Sequence, residues 1–213
     1  MRCRIIALFL FANYLALAVI IDRIAIIVGD SIIKDSDIDR DLRVTAFLNG
    51  DPLDVSNAAK KKAADRLIDQ IFIQREIRIG DYPPASLQEA DQQLAGLKRQ
   101  RFKTDAAFQL ALRRYGLTEL DLRTELQRKL TLLRFIDVRF KPAVLVSDEE
   151  VEKYYREHAT ALRRAYPGKS SLDDLRQQIE DILTGEKVNQ ELFSWLDEQR
   201  KEAKIRYREE SLQ

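Results

Sequence analysis

At five places where a run of helically spaced apolar residues begins, a serine or threonine stands three positions before an acidic residue. The hydroxyl can accept a hydrogen bond from an unpaired N–H at a helix start, and the acid can bond back to the N–H of the hydroxyl residue. The pairs are Ser36/Asp39, Ser86/Glu89, Thr118/Asp121, Ser147/Glu150 and Ser171/Asp174. Because the 213 residues include only seven glycines and five prolines, the pattern predicts a mainly α-helical protein.

The apolar residues recur with a period of about 3.6, which predicts the extent of each helix. Two further helix starts are expected near Ser56 and Thr104, where the acid is missing or the helix is short. Helices are expected to stop at Asn49-Gly50, at Gly80, at Gly116, before Pro142 and, for the last one, at about Ala203 despite Gly185.

Two β-branched runs near the start of the chain predict a hairpin. Residues 24–28 are apolar, and Gly29-Asp30 joins them to Ser31-Ile32-Ile33. A lone hairpin is marginally stable in water, and the alternation in Ile205-Arg206-Tyr207 predicts a third strand that could pair with it. The expected fold is therefore a helical body with a small antiparallel sheet made from the N-terminal hairpin and the C-terminal strand.

The first 18 residues have the composition of an export signal. Arg2 and Arg4 precede an uncharged apolar run, and Ala16-Leu17-Ala18 matches a signal peptidase site. Cleavage after Ala18 would leave an exported protein of residues 19–213, on the non-cytoplasmic side of the membrane. The alternative is an uncleaved anchor in the inner membrane, since the uncharged stretch extends to Ile21 and approaches the length needed to span a bilayer.

The charge balance and the scarcity of ligand residues exclude several functions. The 36 basic and 35 acidic residues give a net charge of +1. Because no stripe of positive charge dominates the sequence, nucleic-acid binding is not predicted. Cys3 is the only cysteine and His158 the only histidine, so neither a disulfide nor a zinc site can be built from them. We expect no metal and no cofactor.

The stretch "RAYPGKSS", residues 164–171, contains the Gly-Lys-Ser of a phosphate-binding loop. Such a loop requires a glycine five positions before Gly168, where Arg163 stands, and a strand before it rather than a charged helix. We therefore interpret Pro167-Gly168 as a break between two helices. His158 is expected on a helix surface or partly buried. No catalytic residues are predicted, so the chain is not expected to be an enzyme.

Five segments of the chain together carry a resemblance to a known family. They are "IDRIAIIVGDSIIKDSDIDRDLR", "AADRLIDQIFIQREIRIG", "YGLTELDLRTELQRKLTLLRFIDVRF", "VSDEEVEKYYREH" and "SLDDLRQQIEDILTGEKVNQELFSWLDEQRKEAKIRY". Their order is similar to that of the SurA-type periplasmic chaperones, which include the lipoprotein PrsA and the anchored PpiD-like folding factors. The first segment resembles the opening hairpin and first helix of that family, and the second resembles its second helix. The third and fourth resemble the helices that lead into a parvulin prolyl-isomerase domain, and the fifth resembles the helix and strand that follow that domain.

The main departure from the family lies between the last two segments. Only twelve residues separate His158 from Ser171, too few for an isomerase domain. The expected chaperone domain therefore consists of an N-terminal part, residues 19–157, and a C-terminal helix and strand, residues 171–208, joined through "RAYPGKSS". The catalytic residues of the family have no counterpart here.

The resemblance implies an ATP-independent holdase of the periplasm that binds unfolded polypeptides, with outer-membrane proteins as candidate clients. Aromatic residues left over from helix packing are the candidate client contacts: Phe47, Phe72, Phe102, Phe135, Phe140, Tyr154, Tyr155 and Trp195. Two alternatives stay open, a core position for any of these residues and a structural or assembly subunit that docks on one envelope partner. A homodimer is also compatible with the long helices.

Overall fold

A computed structural model describes residues 22–208, so the predicted export signal lies outside the described residues. The strands are β1 (Ile24–Val28), β2 (Ser31–Lys34) and β3 (Ile205–Tyr207). The helices are α1 (Asp35–Asn49), α2 (Asn57–Ile79), α3 (Leu87–Arg101), α4 (Asp105–Tyr115), α5 (Glu119–Arg139), α6 (Asp148–Ala165) and α7 (Leu172–Glu202), with a 3₁₀ turn at Lys141–Ala143. The predicted fold class is confirmed.

The sheet joins the two ends of the described chain. Its strand order is β2-β1-β3 and both pairings are antiparallel. Val28 lies opposite Ser31 on one side and opposite Ile205 on the other. The C-terminal strand thus supplies the third strand that the isolated hairpin needs.

Hydroxyl caps begin six of the seven described helices. Ser86, Thr118, Ser147 and Ser171 each accept a hydrogen bond from the residue three positions on, whose acidic side chain bonds back to the cap. Ser56 and Thr104 cap their helices without the reciprocal acid. These starts were predicted correctly.

Helix α1 differs from the prediction because a different carboxylate caps it. The helix begins at Asp35, and the Lys34 N–H donates to Asp37 Oδ2 at 2.9 Å. The Ser36 hydroxyl, expected to cap the helix, instead donates to Asp22 Oδ2 at 2.6 Å. The helix therefore continues directly from β2 without a linker.

The largest buried cluster, called the first cluster, lies between the sheet and the helices that cover it. It combines Ile26 and Ile33 of the sheet with Ile68 and Phe72 of α2. Phe135 and the end of α7 close it from the other side. Helices α2, α5 and α7 are thereby held around one core.

Two smaller buried clusters lie beside the first cluster. The second cluster joins α1, α3, α4 and the start of α5 around Phe47, Phe108 and Leu122. The third cluster lies between α6 and the first half of α7, around Leu175 and Ile179. We call residues 148–183 the arm, because α6 and α7 run antiparallel there on either side of the turn at 166–171, and we call the rest of residues 22–208 the body.

The turn at the tip of the arm ends α6 at Ala165, and Ser171 caps α7. Gly168 in this turn has a φ of +88°, which glycine adopts at little cost. The interpretation of "RAYPGKSS" as a break between two helices is confirmed. Within residues 22–208, no helix is both long enough and apolar enough to cross a membrane.

Candidate functional site

An open groove separates α2 from α5. It consists of two adjoining recesses, with cavity volumes of 290 Å³ and 470 Å³, which share Gln70, Gln74 and Thr124 as lining residues. Because these residues belong to both recesses, the groove is continuous along α2.

The first recess ends at the loop that follows α2. The Gln127 side chain donates to the Ala85 carbonyl at 2.9 Å, and the Ala85 N–H donates to the Thr131 hydroxyl at 3.0 Å. Arg134 also donates to the Pro84 carbonyl at 3.0 Å. Three α5 side chains therefore fix the loop, and Pro84 lines the recess beside Ile73, Ile77 and Leu132.

The second recess lies where α1, β2 and the start of α5 approach α2. Its apolar lining includes Leu67 and Ile71 of α2 together with Ile32 and Leu120. Ile32 is 48% exposed and Leu120 is 64% exposed. Large apolar side chains that stay accessible in a concave surface are typical of a binding site for an apolar ligand or peptide.

The charged residues that line the second recess already have partners. Asp41 pairs with Arg66, and Glu125 pairs with Arg128. Burial acts to raise the pKa of Asp121, but the hydrogen bonds from Thr118 outweigh burial, so that the pKa is lowered. The positive charge of Arg40, whose Nε lies 3.6 Å from Asp121 Oδ1, also lowers it. These ion pairs and hydrogen bonds hold the carboxylates in place along the walls of the groove.

Four of the eight predicted aromatic contacts lie in the core. Phe47 belongs to the second cluster, and Phe72, Phe135 and Phe140 belong to the first. They pack with other rings, for example Phe135 on Phe140 with a centroid distance of 5.6 Å. None of the four lines the α2–α5 groove.

The other four aromatics are half-buried. Phe102 stacks on Phe47 at 6.1 Å, while Tyr154 and Tyr155 pack against the third cluster of the arm. Trp195 and Phe140 line a separate recess of 340 Å³, with the Arg139 guanidinium 5.7 Å from the Trp195 ring. The structure thus brings Phe135, Phe140 and Trp195 together and leaves the tyrosine pair remote from them.

The described residues hold no group of three or more histidine, cysteine, aspartate or glutamate side chains that could bind a metal ion. His158 is exposed on α6, with its ring 4.3 Å from that of Tyr154.

The tip of the arm is fixed by the Tyr155 hydroxyl, which donates to the Ser170 carbonyl at 2.6 Å. This contact explains how one member of the tyrosine pair stabilises the turn.

The residues that line the groove were not among the predicted contacts. Their signal in the sequence is the distribution of apolar residues around α2: Leu67, Ile68, Ile71, Phe72, Ile73 and Ile77 cover more than one face of the helix. An α-helix that packs on one neighbour needs a single apolar stripe. The additional face, interrupted by Gln70 and Gln74, indicates a second contact surface.

No family model matches the chain. Among curated proteins, Chaperone SurA of Pseudomonas aeruginosa is 29% identical to it over 142 residues, which cover 63% of this chain and 33% of that protein. The chain thus aligns with about a third of the length of that relative. The resemblance found in the order of the sequence segments is confirmed, and the chain is a distant homologue of Chaperone SurA.

Proposed function

We propose that the chain is an ATP-independent holdase of the periplasm that binds unfolded exported polypeptides, including outer-membrane proteins, in the α2–α5 groove. The observation that carries the proposal is the continuous open groove with accessible aliphatic side chains on both walls. The distant homology to a protein named as a chaperone supports it. The proposed chaperone unit comprises residues 19–213.

The lining of the groove suits weak and reversible binding. Each aliphatic client side chain that is fully buried contributes about 1.5–3 kcal/mol. Two or three such contacts, reduced by the cost of immobilising a flexible chain, correspond to affinities in the millimolar to micromolar range. A holdase without an energy source needs binding of this kind, since clients must leave without ATP hydrolysis.

The half-buried aromatics are proposed as secondary contacts. Phe102, Tyr154, Tyr155 and Trp195 each keep part of the ring accessible. A client role for Phe47, Phe72, Phe135 and Phe140 would require the body to open, because these rings are buried. That role stays a prediction.

The test uses two leucines matched in type and exposure. Leu120 lines the groove and is 64% exposed, whereas Leu110 lies on α4 away from the groove and is 63% exposed. An unfolded outer-membrane protein is diluted from urea into buffer, and aggregation is followed by light scattering with and without the purified chain. We expect suppression by the wild type and by Leu110→Ser, and a suppression at least threefold weaker for Leu120→Ser.

Two outcomes would contradict the proposal. The absence of suppression at several-fold molar excess would exclude the holdase. A stable stoichiometric complex with one envelope protein, without any suppression, would instead favour the structural or assembly subunit. A refolding assay limited by proline isomerisation should show no acceleration, because no isomerase domain lies between α6 and α7.

A further inference from the structure

The second recess of the groove lies along an open edge of the sheet. In the part of the chain that the structure describes, strand β2 is at the edge of the sheet and pairs only with β1. Ile32 and Ile33 are consecutive residues of β2 and point to opposite faces, yet both line this recess. A recess lined by both residues must lie against the edge of the strand and not against one face of the sheet.

The positions of the hydrogen-bonded residue pairs in the sheet determine which backbone groups of β2 face the recess. The Gly29 N–H donates to the Lys204 carbonyl at 3.1 Å, and the Arg208 N–H donates to the Ala25 carbonyl at 2.8 Å. Bonded and non-bonded pairs alternate in an antiparallel ladder. The backbone groups of Ile27, midway between Ala25 and Gly29, therefore point toward β3.

Since the backbone N–H and C=O of Ile27 point toward β3, they cannot form hydrogen bonds with Ile32, which lies opposite Ile27 on β2. The N–H and C=O of Ile32 consequently point away from β1, toward the recess. Among residues 22–208, no hydrogen bond outside the strand pairings engages the Ile32 backbone. The neighbouring outward N–H, that of Lys34, is already donated to Asp37 at 2.9 Å.

We propose that an extended segment of the client pairs with β2 as a short fourth strand, held by two backbone hydrogen bonds to Ile32. This inference rests on the proposed function and adds the conformation in which the client is recognised. The client residues on either side would direct alternate side chains toward Leu67, Ile71 and Leu120, which line the same recess. Recognition through the backbone tolerates any client sequence that is extended and alternately apolar.

The groove has the length that this binding mode needs. Leu67 and Ile77, which line its two ends on α2, are ten residues apart and therefore separated by about 15 Å along the helix. An extended chain rises about 3.3 Å per residue, so four or five client residues fit between them.

Substitution of Ile32 by proline tests the bond to the backbone. Proline removes the outward N–H but none of the bonds to β1, and it is tolerated on edge strands. The probe is a fluorescein-labelled ten-residue peptide of alternating valine and threonine, and binding is measured by fluorescence anisotropy. Because the net contribution of one hydrogen bond corresponds to a roughly two- to tenfold change in affinity, we expect Ile32→Pro to bind about fivefold more weakly than the wild type. Ile32→Val, which keeps the N–H, should bind within twofold of wild type.

A second probe makes the test independent of how well Ile32→Pro folds. Methylation of alternate peptide nitrogens removes the donors of one peptide edge, so one of the two methylation registers should lose binding to the wild-type chain while the other keeps it. Equal binding of both registers, or wild-type binding by a folded Ile32→Pro variant, would overturn the inference. If suppression of aggregation still depends on Leu120 in that case, the holdase proposal survives. If the wild-type chain suppresses no aggregation at all, the proposed function itself fails.

Discussion

Phe135 connects three parts of the body. It lies on α5, is 1% exposed, and packs edge-on against Tyr82 in the loop after α2, at a centroid distance of 5.1 Å. Its ring is also 5.6 Å from Phe140 and 5.9 Å from Trp195 on α7. A single side chain thus fixes the positions of α5 and α7 relative to the loop that closes the groove.

Replacing Phe135 by alanine should therefore lower the free energy of unfolding by about 3–5 kcal/mol, the usual cost of removing a buried phenylalanine. Urea unfolding followed by circular dichroism and by the fluorescence of Trp195, the only tryptophan of the chain, measures the change. The control is Leu145→Ala, since Leu145 is 83% exposed and surface changes of this kind stay within about 0.5 kcal/mol. A loss below about 1 kcal/mol for Phe135→Ala would contradict the role assigned to its ring.

The sequence could not predict which aromatic residues would be buried. Helical spacing assigns one apolar stripe to each helix, but which helices meet depends on contacts between distant segments. Phe135 and Trp195 are 60 residues apart in the sequence, and nothing local indicates that their rings pack together. The groove was missed for the same reason: Leu67 and Leu120 approach one recess only after α1, α2 and α5 have packed.

At the scale of the elements, local chemistry determines most helix boundaries. At the helix starts capped by Ser86 and Ser171, hydrogen bonds from the cap residue lower the pKa of Glu89 and Asp174. Such bonds form within one turn of helix and need no distant partner, so the sequence predicted them. Helix α1 is the exception, because the Ser36 hydroxyl donates its hydrogen bond to the Asp22 carboxylate, which lies 14 residues earlier in the sequence.

Two glycines offer a matched test of these elements. Gly168 has a φ of +88° in the turn of the arm, whereas Gly185 lies within α7, and a Cβ at either position would meet no atom within 4 Å. Gly168→Ala should destabilise the protein by about 1–2 kcal/mol, because a left-handed conformation is costly for alanine. Gly185→Ala should stabilise it by about 0.5–1 kcal/mol, because alanine favours the helix.

Thermal and urea unfolding of the two variants beside the wild type measure these changes. The two changes should have opposite signs although the substitution is the same. A stabilising Gly168→Ala would show that the turn adopts a different conformation, and a destabilising Gly185→Ala would indicate that α7 is interrupted at that residue.

At the scale of the whole molecule, the three clusters differ greatly in size. The first cluster contains sixteen buried residues and the third only four, Val151, Leu162, Leu175 and Ile179. The arm has ion pairs at its base, where Lys187 binds Glu150 at 2.7 Å and Arg176 binds Asp148 at 2.6 Å. Exposed pairs of this kind contribute little to stability, so the arm depends mainly on its small apolar cluster.

The arm should therefore open without unfolding the body, because the free energy of local opening follows the apolar area buried in each unit. Hydrogen exchange at neutral pH should give lower opening free energies for the amides of α6 and of residues 172–183 than for those of β1 and α2. Leu175→Ala, which removes a fully buried side chain of the third cluster, should accelerate exchange in the arm alone. Ile68→Ala, its counterpart in the first cluster, lowers the stability of the body and should accelerate exchange in β1 and α2. If Leu175→Ala accelerates exchange equally in both regions, the arm and the body unfold as one cooperative unit and the third cluster is not independent.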